Sequence, residues 1–167
     1  MENLEVIGFG GGCHWCNEAV FQSVIGVARV EQGWIAPADM ERFSEGVLVH
    51  FDAHSVSLEL LVAVHLHSHS AMANHSMREK YRSAVYVFNE PQGEEVRTAM
   101  VNLENEFDGP LVTQILGFGK FQLNDEKFLD YYLTDMERPF CRNYISPKLE
   151  MLRKKFVGQI RPLTKEN

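Results

Sequence analysis

Three consecutive glycines at residues 10–12 constrain the fold of this chain more than any other feature. They follow an apolar run, residues 4–9, that predicts a buried strand, and they precede residues 18–22, whose apolar spacing predicts a helix. Glycine tolerates the close backbone approach and the unusual dihedral angles of a tight turn between two such elements. The sequence therefore predicts that Cys13 lies where the turn enters a helix.

This placement makes Cys13 a candidate nucleophile. A helix N-terminus presents unpaired backbone N–H groups and the positive end of the helix dipole, and both favour a thiolate over a thiol. The thiolate is the reactive form of cysteine. A cysteine beside apolar residues is otherwise most often a small buried hydrophobe. The glycines, the helix terminus and a second cysteine, Cys16, three residues further on together favour chemistry.

Composition narrows the function classes. The hydrophobic fraction of 45% and the charged fraction of 23% are typical of a soluble globular protein, and one domain over residues 1–167 is expected. The net charge of -7 argues against nucleic-acid binding. No signal-peptide pattern and no membrane-length apolar run is present in the sequence. Three cysteines cannot all pair within one chain, so free or redox-active thiols in a reducing cytoplasm are expected.

The order of the predicted elements indicates the fold class. Periodicity further along the chain predicts strands at residues 27–34, 47–51 and 84–88 and helices at residues 56–66 and 94–107. The order β-α-β-β-α-β is that of the ferredoxin-like, split βαβ arrangement. A further strand is expected at residues 111–116, with helices at residues 125–133 and at residues 146–156, where Ser146 is the expected N-cap. The expected fold is α+β: a ferredoxin-like two-layer α/β sandwich with an irregular C-terminal extension.

Two groups of residues offer other chemistry. Cys13 and Cys16 form a C-x-x-C pair, which predicts a redox disulfide in a thioredoxin-like thiol-disulfide oxidoreductase, although no proline stands where that fold expects its cis-proline. His65 and His69 share a helix face and predict a metal pair, with His75 or a carboxylate as a third ligand. Since no spacing fixes that ligand, no metal site is assigned, but a metal-binding domain stays an alternative.

Two further polar residues, Glu45 and Tyr81, are typical surface residues by their sequence positions, but each could also have a functional role. Glu45 begins a predicted strand, where a glutamate is usually solvated. If it faces Cys13 instead, burial favours its protonated form and makes it a proton donor. Tyr81 is by default an amphipathic residue at the edge of the sheet.

Residues 10–27, GGGCHWCNEAVFQSVIGV, resemble the nucleophile segment of the peptide methionine sulfoxide reductase A family, whose usual form is Gly-Cys-Phe-Trp. The segment KYRSAVY at residues 80–86 is similar to that family's Gln-Tyr-Arg-Ser-Ala-Ile-Tyr. The likeness runs in order over most of the chain, and its other parts are SEGVLVHFD at residues 44–52, His69, YYL at residues 131–133, PFC at residues 139–141 and ISPKL at residues 145–149.

The resemblance implies a reductase of methionine S-sulfoxide, free or peptide-bound, and gives each residue a role. Cys13 would attack the sulfoxide sulfur and end as a sulfenic acid. Glu45 would donate a proton to the sulfoxide oxygen, and Tyr81 would hydrogen-bond that oxygen. Trp15 would form the wall against the substrate's S-methyl group. A second thiol would then form a disulfide that thioredoxin reduces, and neither a metal nor an organic cofactor is implied.

The chain departs from the family pattern at several positions. His14 replaces the usual phenylalanine beside Trp15, which makes the expected substrate-binding wall less apolar. Residues 34–45 contain no equivalent of a second tyrosine that many members supply to the sulfoxide oxygen. His75 stands near a missing acidic residue, and we hypothesise that it positions the substrate.

The thiol that resolves the sulfenic acid has two candidates. Cys141 matches the family position, in a Pro-Phe-Cys context, and is expected on a mobile C-terminal segment that reaches Cys13. Cys16 is the alternative, and it can bridge to Cys13 only if the two Cβ atoms lie close together on one helical turn. Cys141 is the favoured candidate on the sequence.

Overall fold

A closed β-barrel of five strands forms the centre of the structure, a computed structural model that describes residues 3–73 and 76–164. The strands are β1 (Leu4–Gly10), β2 (Val27–Pro37), β3 (Ser44–Asp52), β4 (Ala84–Val87) and β5 (Gln114–Leu123). They follow one another around the barrel in the order β1-β3-β2-β5-β4, and β4 closes the ring on β1. The pairing of β4 with β5 is parallel, and the other pairings are antiparallel.

Helices connect and cover the strands. They are α1 (His14–Gln22), α2 (Leu58–Ser68), α3 (Glu90–Leu103), the single turn α4 (Tyr131–Thr134) and α5 (Ser146–Lys155). Shorter helical turns lie at Ser76–Glu79, Glu104–Glu106, Glu126–Phe128 and Cys141–Ile145. Within the described residues, no helix has the length and apolar character needed to cross a bilayer.

The expected ferredoxin-like two-layer sandwich is wrong, because the sheet has no open edges. The β-α-β-β-α-β order itself is confirmed, and the four strands it contains pair as β4-β1-β3-β2. The fifth strand joins the two ends of this row. Residues 114–117 pair with β4, and residues 118–123 continue on to pair with β2. The expected strand ended at residue 116, before the part of β5 that closes the barrel.

Other local predictions have mixed outcomes. The strand-to-helix turn is confirmed, but α1 begins at His14 and not at Glu18. The helix expected at residues 125–133 is two separate short turns. Ser146 is not the N-cap of α5, since Ile145 holds that position. The Ser146 hydroxyl instead lies 2.8 Å from the hydroxyl of Tyr132, which ties α5 to α4.

The main core lies between the barrel and the helices that cover it. Its centre is the stacked pair Phe9 on β1 and Phe21 on α1, whose ring centroids are 4.5 Å apart and which are both fully buried. Apolar side chains from α2 and α5, among them Leu61 and Leu152, complete this core. The packing fixes α1 against the barrel, and so it fixes the end of α1 that carries Cys13.

Candidate active site

The glycine turn sets the position of Cys13. Gly11 and Gly12 both have positive φ angles, 134° and 79°, a conformation that side chains with a Cβ atom rarely adopt. A Cβ atom on Gly11 would also lie 2.6 Å from the ring of His69. Cys13 follows as the N-cap of α1, at the helix start where the sequence predicts it, and it is partly exposed.

The two clustered histidines support this turn. His65 Nε2 lies 2.7 Å from the carbonyl oxygen of Gly10. His69 places Nδ1 2.6 Å from the carbonyl oxygen of His65 and Nε2 2.7 Å from the hydroxyl of Ser83. Among the described residues, no group of three or more His, Cys, Asp or Glu side chains could hold a metal ion. The histidines that suggested a metal pair therefore brace the glycine turn in this structure.

The thiols of Cys13 and Cys16 interact directly. A hydrogen bond from the Cys13 thiol to the Cys16 sulfur raises the pKa of Cys13, and burial raises it further. The same hydrogen bond lowers the pKa of Cys16, and the charge of Lys148 adds to this effect. The pair therefore loses its first proton to give one negative charge held by two sulfurs, with the remaining proton between them.

Cys141 lies on the other side of this pair. It is 0% exposed, within the helical turn Cys141–Ile145 that leads into α5. Burial raises the pKa of its thiol, and it is close enough to Cys16 for the charge on that sulfur to raise the pKa further. The structure thus brings Cys16 to Cys13 and leaves Cys141 buried in a helical turn, not on an exposed segment.

Glu45 reaches the Cys13 turn from the barrel. The β1–β3 pairing sets Gly10 opposite Gly46, which places the neighbouring Glu45 beside the start of α1. Its Oε1 accepts a 3.0 Å hydrogen bond from the backbone N–H of His14, and only 5% of the residue is exposed. A buried carboxyl group next to the Cys13 turn suits a proton donor.

Tyr81 lies beside Glu45, with Lys80 between them. The Lys80 ammonium lies 3.5 Å from Glu45 Oε2 and 5.2 Å from the centroid of the Tyr81 ring. The Lys80 carbonyl also accepts the backbone N–H of Glu45 at 2.9 Å, so the two segments are held together. The sequence pattern singled out Tyr81 but gave no role to Lys80, although the two are adjacent.

His14 does not form an open wall for a substrate. It is 4% exposed, and its Nδ1 lies 2.7 Å from the carbonyl oxygen of Gly33 on β2. Its Nε2 lies 3.4 Å from Glu45 Oε1 and 3.3 Å from Asn124 Nδ2. Burial lowers the pKa of the imidazole, so the neutral form prevails at neutral pH. His14 therefore lies under the site, next to Glu45.

Trp15 forms an aromatic cluster with residues from the C-terminal part of the chain. The Tyr131 ring stacks on it with a centroid distance of 4.1 Å and an interplanar angle of 5°. Phe140 meets it edge-on at 5.5 Å, and Phe128 stacks at 5.9 Å. Arg138 lies over the Tyr131 ring at 4.0 Å. Trp15 is thus one part of an aromatic wall. The family likeness included the segments that contain Tyr131 and Phe140, but it did not place their rings against Trp15.

A buried carboxyl group, Glu18, fixes that wall from below. It accepts hydrogen bonds from the backbone N–H groups of Asp130 and Tyr131, at 2.9 Å and 3.1 Å, and from the Gln32 amide at 2.8 Å. Burial outweighs these hydrogen bonds and raises the pKa of Glu18 to about 7. One residue on α1 therefore orients the backbone of Tyr131, and through it the stack on Trp15.

The raised pKa of Glu18 makes stability depend on pH in a defined direction. Between pH 4.5 and about 7 the group is ionised in the unfolded chain but still protonated in the folded one. The folded state then binds more protons, so the free energy of unfolding falls as pH rises through this window, by roughly 3 kcal/mol. Urea unfolding at about pH 5 and about pH 8 should show this fall in the wild type and a much smaller one in Glu18→Gln. Glu95→Gln, on the exposed face of α3, is the control; equal falls in all three proteins would contradict this role for Glu18.

His75, the remaining predicted substrate-binding residue, lies outside the described residues.

Comparisons with known proteins agree with this geometry. A family model described as peptide methionine sulfoxide reductase matches residues 5–160. The peptide methionine sulfoxide reductase MsrA of Trichodesmium erythraeum is 28% identical, with 94% of this chain and 98% of that protein aligned. Methionine sulfoxide reductase A of Corynebacterium diphtheriae superposes with a TM-score of 0.71 at 20% identity, covering 81% of this chain and 76% of that one.

A second solved structure also superposes, that of Saccharomyces cerevisiae Mxr1 in complex with Trx2. The TM-score is 0.55 at 14% identity, and the match covers 77% of this chain and 84% of that one. At these identities, the two structural likenesses concern the fold alone. They agree with the closed barrel and not with an open two-layer sandwich.

Proposed function

Because this chain belongs to the peptide methionine sulfoxide reductase family, we propose that it reduces methionine S-sulfoxide, free or peptide-bound, to methionine. The observation that carries this proposal is the meeting of Cys13 and Glu45 at one helix N-terminus, beside Trp15. A nucleophile, an acid and an apolar wall are the three groups that sulfoxide reduction requires. We further propose that residues 1–167 act as one catalytic domain.

The first step uses Cys13 as the nucleophile. The Cys13 sulfur attacks the sulfoxide sulfur as the proton that it shares with Cys16 passes to the Cys16 sulfur. Oxygen passes to Cys13, so that the S–O bond of the substrate breaks and an S–O bond on Cys13 forms. The methionine sulfur is reduced by two electrons and Cys13 is oxidised by two, to a sulfenic acid. The partial exposure of Cys13 at the end of α1 supports this role, since Cys16 and Cys141 are both buried.

Glu45 supplies the proton that makes the oxygen a better leaving group. In its largely buried position the carboxyl group can hold a proton away from water and deliver it to the sulfoxide oxygen. Tyr81 is proposed to hydrogen-bond the same oxygen as charge develops on it. Lys80 contacts both Glu45 and Tyr81, which supports the proposal that both act on the sulfoxide oxygen.

The aromatic wall selects the substrate. Trp15, backed by Tyr131 and Phe140, offers an apolar surface for the S-methyl group of methionine sulfoxide. With the S-methyl group against the wall, the oxygen toward Glu45 and the lone-pair side of the sulfur toward Cys13, only one configuration at sulfur fits. The family resemblance implies that it is the S configuration. We therefore propose selectivity for the S epimer.

The contact between thiols favours Cys16 as the resolving residue, ahead of Cys141. The Cys16 thiolate attacks the Cys13 sulfenic acid, an S–S bond forms, and the oxygen leaves as water. The lowered pKa of Cys16 increases the thiolate available for this attack. Cys141 is next to Cys16 but buried, and it is proposed to stay a free thiol through this step.

A dithiol then restores the enzyme. Thioredoxin is the proposed reductant, with support from the structure of Mxr1 bound to Trx2. The chemistry described for Cys13, Glu45 and Cys16 needs neither a metal nor an organic cofactor, since each step exchanges thiol, sulfenic acid and disulfide. Because reduced thiols must persist between turnovers, we propose a reducing cytoplasm as the compartment.

Incubation of stoichiometric protein with each methionine sulfoxide epimer, without reductant, tests this function. One methionine per protein molecule is expected from the S epimer and none from the R epimer, because a single oxidation of Cys13 ends the reaction. Peptide mapping of the same sample is expected to find a Cys13–Cys16 disulfide with Cys141 free.

Two outcomes would contradict parts of the proposal. Methionine formation together with a Cys13–Cys141 disulfide would return the resolving role to Cys141. No methionine from either epimer, combined with reduction of insulin disulfides, would replace the reductase by a thiol-disulfide oxidoreductase that uses Cys13 and Cys16.

A further inference from the structure

A chain of buried polar side chains runs from Glu45 to Glu18 through His14. His14 Nε2 lies 3.4 Å from Glu45 Oε1, and Asn124 Nδ2 lies 3.3 Å from the same His14 atom. Asn124 Nδ2 also donates to Gln32 Oε1 at 2.7 Å, and Gln32 Nε2 donates to Glu18 Oε1 at 2.8 Å. The reaction assigned to the site uses Glu45 alone among these five residues.

The direction of these hydrogen bonds is fixed by backbone groups that contact Gln32 and Asn124. Gln32 Nε2 lies 2.9 Å from the carbonyl oxygen of Phe128, which can only accept, and the same nitrogen donates to Glu18 Oε1. Gln32 Oε1 must then accept from Asn124. The Asn124 oxygen accepts the backbone N–H of Asp125 at 2.9 Å, so the Asn124 amide N–H groups point to Gln32 and His14. His14 Nε2 therefore faces a donor.

The other ring nitrogen of His14 fixes the tautomer. Nδ1 lies 2.7 Å from the carbonyl oxygen of Gly33, which can only accept, so Nδ1 carries the proton. Nε2 then presents a lone pair toward Asn124 and Glu45. An ionised Glu45 would set a second lone pair against it, whereas a protonated Glu45 can donate its O–H to it.

We propose that His14 is a positioning residue for the acid: its Nε2 accepts a hydrogen bond from protonated Glu45 and so keeps one proton at the site until a sulfoxide arrives. This inference rests on the proposed reductase function. When the sulfoxide oxygen takes the proton, the O–H bond of Glu45 breaks and an O–H bond forms on the substrate. The carboxylate that remains keeps the backbone N–H of His14 and the Lys80 ammonium as partners.

The charged groups around His14 fit this role. Glu45 on β3 and Lys80, just before β4, face the ring from the barrel side. Cys13 and Cys16 lie at the start of α1, the helix that carries His14. Glu18 is connected to His14 through the hydrogen bonds of Asn124 and Gln32. Once acid protonates the imidazole, the ring would donate to Glu45 and hold it as a carboxylate, which removes the acid. Burial lowers the pKa of His14, and so it keeps the neutral, accepting form over the neutral range.

Histidine NMR on the wild type tests the geometry without any reaction. Long-range proton–nitrogen spectra should show one histidine, absent in His14→Gln, with Nδ1 protonated and Nε2 unprotonated from about pH 6 to about pH 8. A proton on Nε2, or a charged ring at neutral pH, would overturn the proposal whether or not the protein reduces sulfoxides.

Kinetics of His14→Phe and His14→Gln test the consequence. Phenylalanine removes the acceptor, and we expect kcat to fall about tenfold with KM almost unchanged, because the buried ring does not contact substrate. Glutamine keeps an amide oxygen as acceptor and should restore kcat to within about threefold of the wild type. At acid pH the wild type should show one protonation-dependent decline in kcat/KM that neither variant shows, because only the wild type carries the His14 imidazole.

The variants also separate this inference from simpler roles. If His14 served only as a substrate wall, His14→Phe would keep kcat and lower KM, and that result would overturn the proposal. An equal fall in kcat in His14→Phe and His14→Gln, with thermal unfolding unchanged, would also overturn the proposal. It would show that a hydrogen-bond acceptor at position 14 does not support the acid. If the wild type formed no methionine but NMR showed His14 protonated on Nδ1 alone, the proposed reductase function would be wrong and the hydrogen-bond geometry around His14 would be confirmed.

Discussion

Replacing Cys13 by serine is expected to abolish methionine formation from the S epimer, by at least about 10⁴-fold in rate. A serine hydroxyl at the end of α1 is a much weaker nucleophile than a thiolate and cannot accept the sulfoxide oxygen as a sulfenic acid. Coupled assays with dithiothreitol as reductant measure this loss. Cys141→Ala is the matched control, because it also removes a sulfur near the site and should still give one methionine per molecule without reductant.

The outcome for Cys13→Ser is informative because the neighbouring thiols share one charge. The hydrogen bond between them lowers the pKa of Cys16, so the resting thiolate lies closer to Cys16 than to Cys13. If Cys16 were the nucleophile, Cys13→Ser would still form methionine and Cys16→Ser would not. That pattern would overturn the assignment of Cys13. We expect the opposite pattern, since Cys16 is buried while Cys13 is partly exposed at the helix end.

Local sequence patterns were enough to predict the Cys13 turn. The glycines, the apolar run before them and the helical spacing after them all act within a few residues of Cys13. The same is true of the strands predicted at residues 27–34 and 47–51, which match β2 and β3. Helices and strands that depend on nearby residues were therefore predicted, although their first and last residues were wrong by a few positions.

The closure of the barrel depends on contacts that no local pattern contains. Gly117 and Gly119 interrupt the apolar character of β5, so the strand seemed to end at residue 116. Its second half is stabilised by pairing with β2, more than eighty residues earlier in the chain. The fold class was wrong for this reason, although the order of the elements was right.

The same limit applies to the site. Tyr131 reaches Trp15 because its backbone N–H binds Glu18, 113 residues away in sequence. The amide of Asn124 binds Gln32 across 92 residues. Neither pair has a signal in spacing or composition, whereas Glu45 and Tyr81 were found through a family resemblance carried by short segments around them. His14 was noticed as a departure from that pattern, but its partners were visible only in the folded chain.

Replacing Glu45 by glutamine is expected to lower kcat/KM by about 10² to 10⁴. Glutamine has the shape of glutamate and can still accept the backbone N–H of His14, so the turn should keep its structure. Glutamine cannot transfer a proton to the sulfoxide oxygen. The unprotonated oxygen is a poorer leaving group, so cleavage of the substrate S–O bond should be slower. Single-turnover methionine formation measures the chemical step apart from disulfide reduction.

Glu79→Gln is the control for this variant. Glu79 directly precedes Lys80, is exposed and pairs with Arg42, so its replacement should leave the rate within the error of the assay. An unchanged rate in Glu45→Gln would assign the proton to another group. Lys80→Met would then test the Lys80 ammonium, which lies 3.5 Å from Glu45 Oε2. A large loss in Glu45→Gln with Lys80→Met near wild type would instead locate the acid on Glu45. That result would also explain why the chain buries a carboxyl group against the end of α1, where a solvated glutamate at a strand start would otherwise be more stable in water.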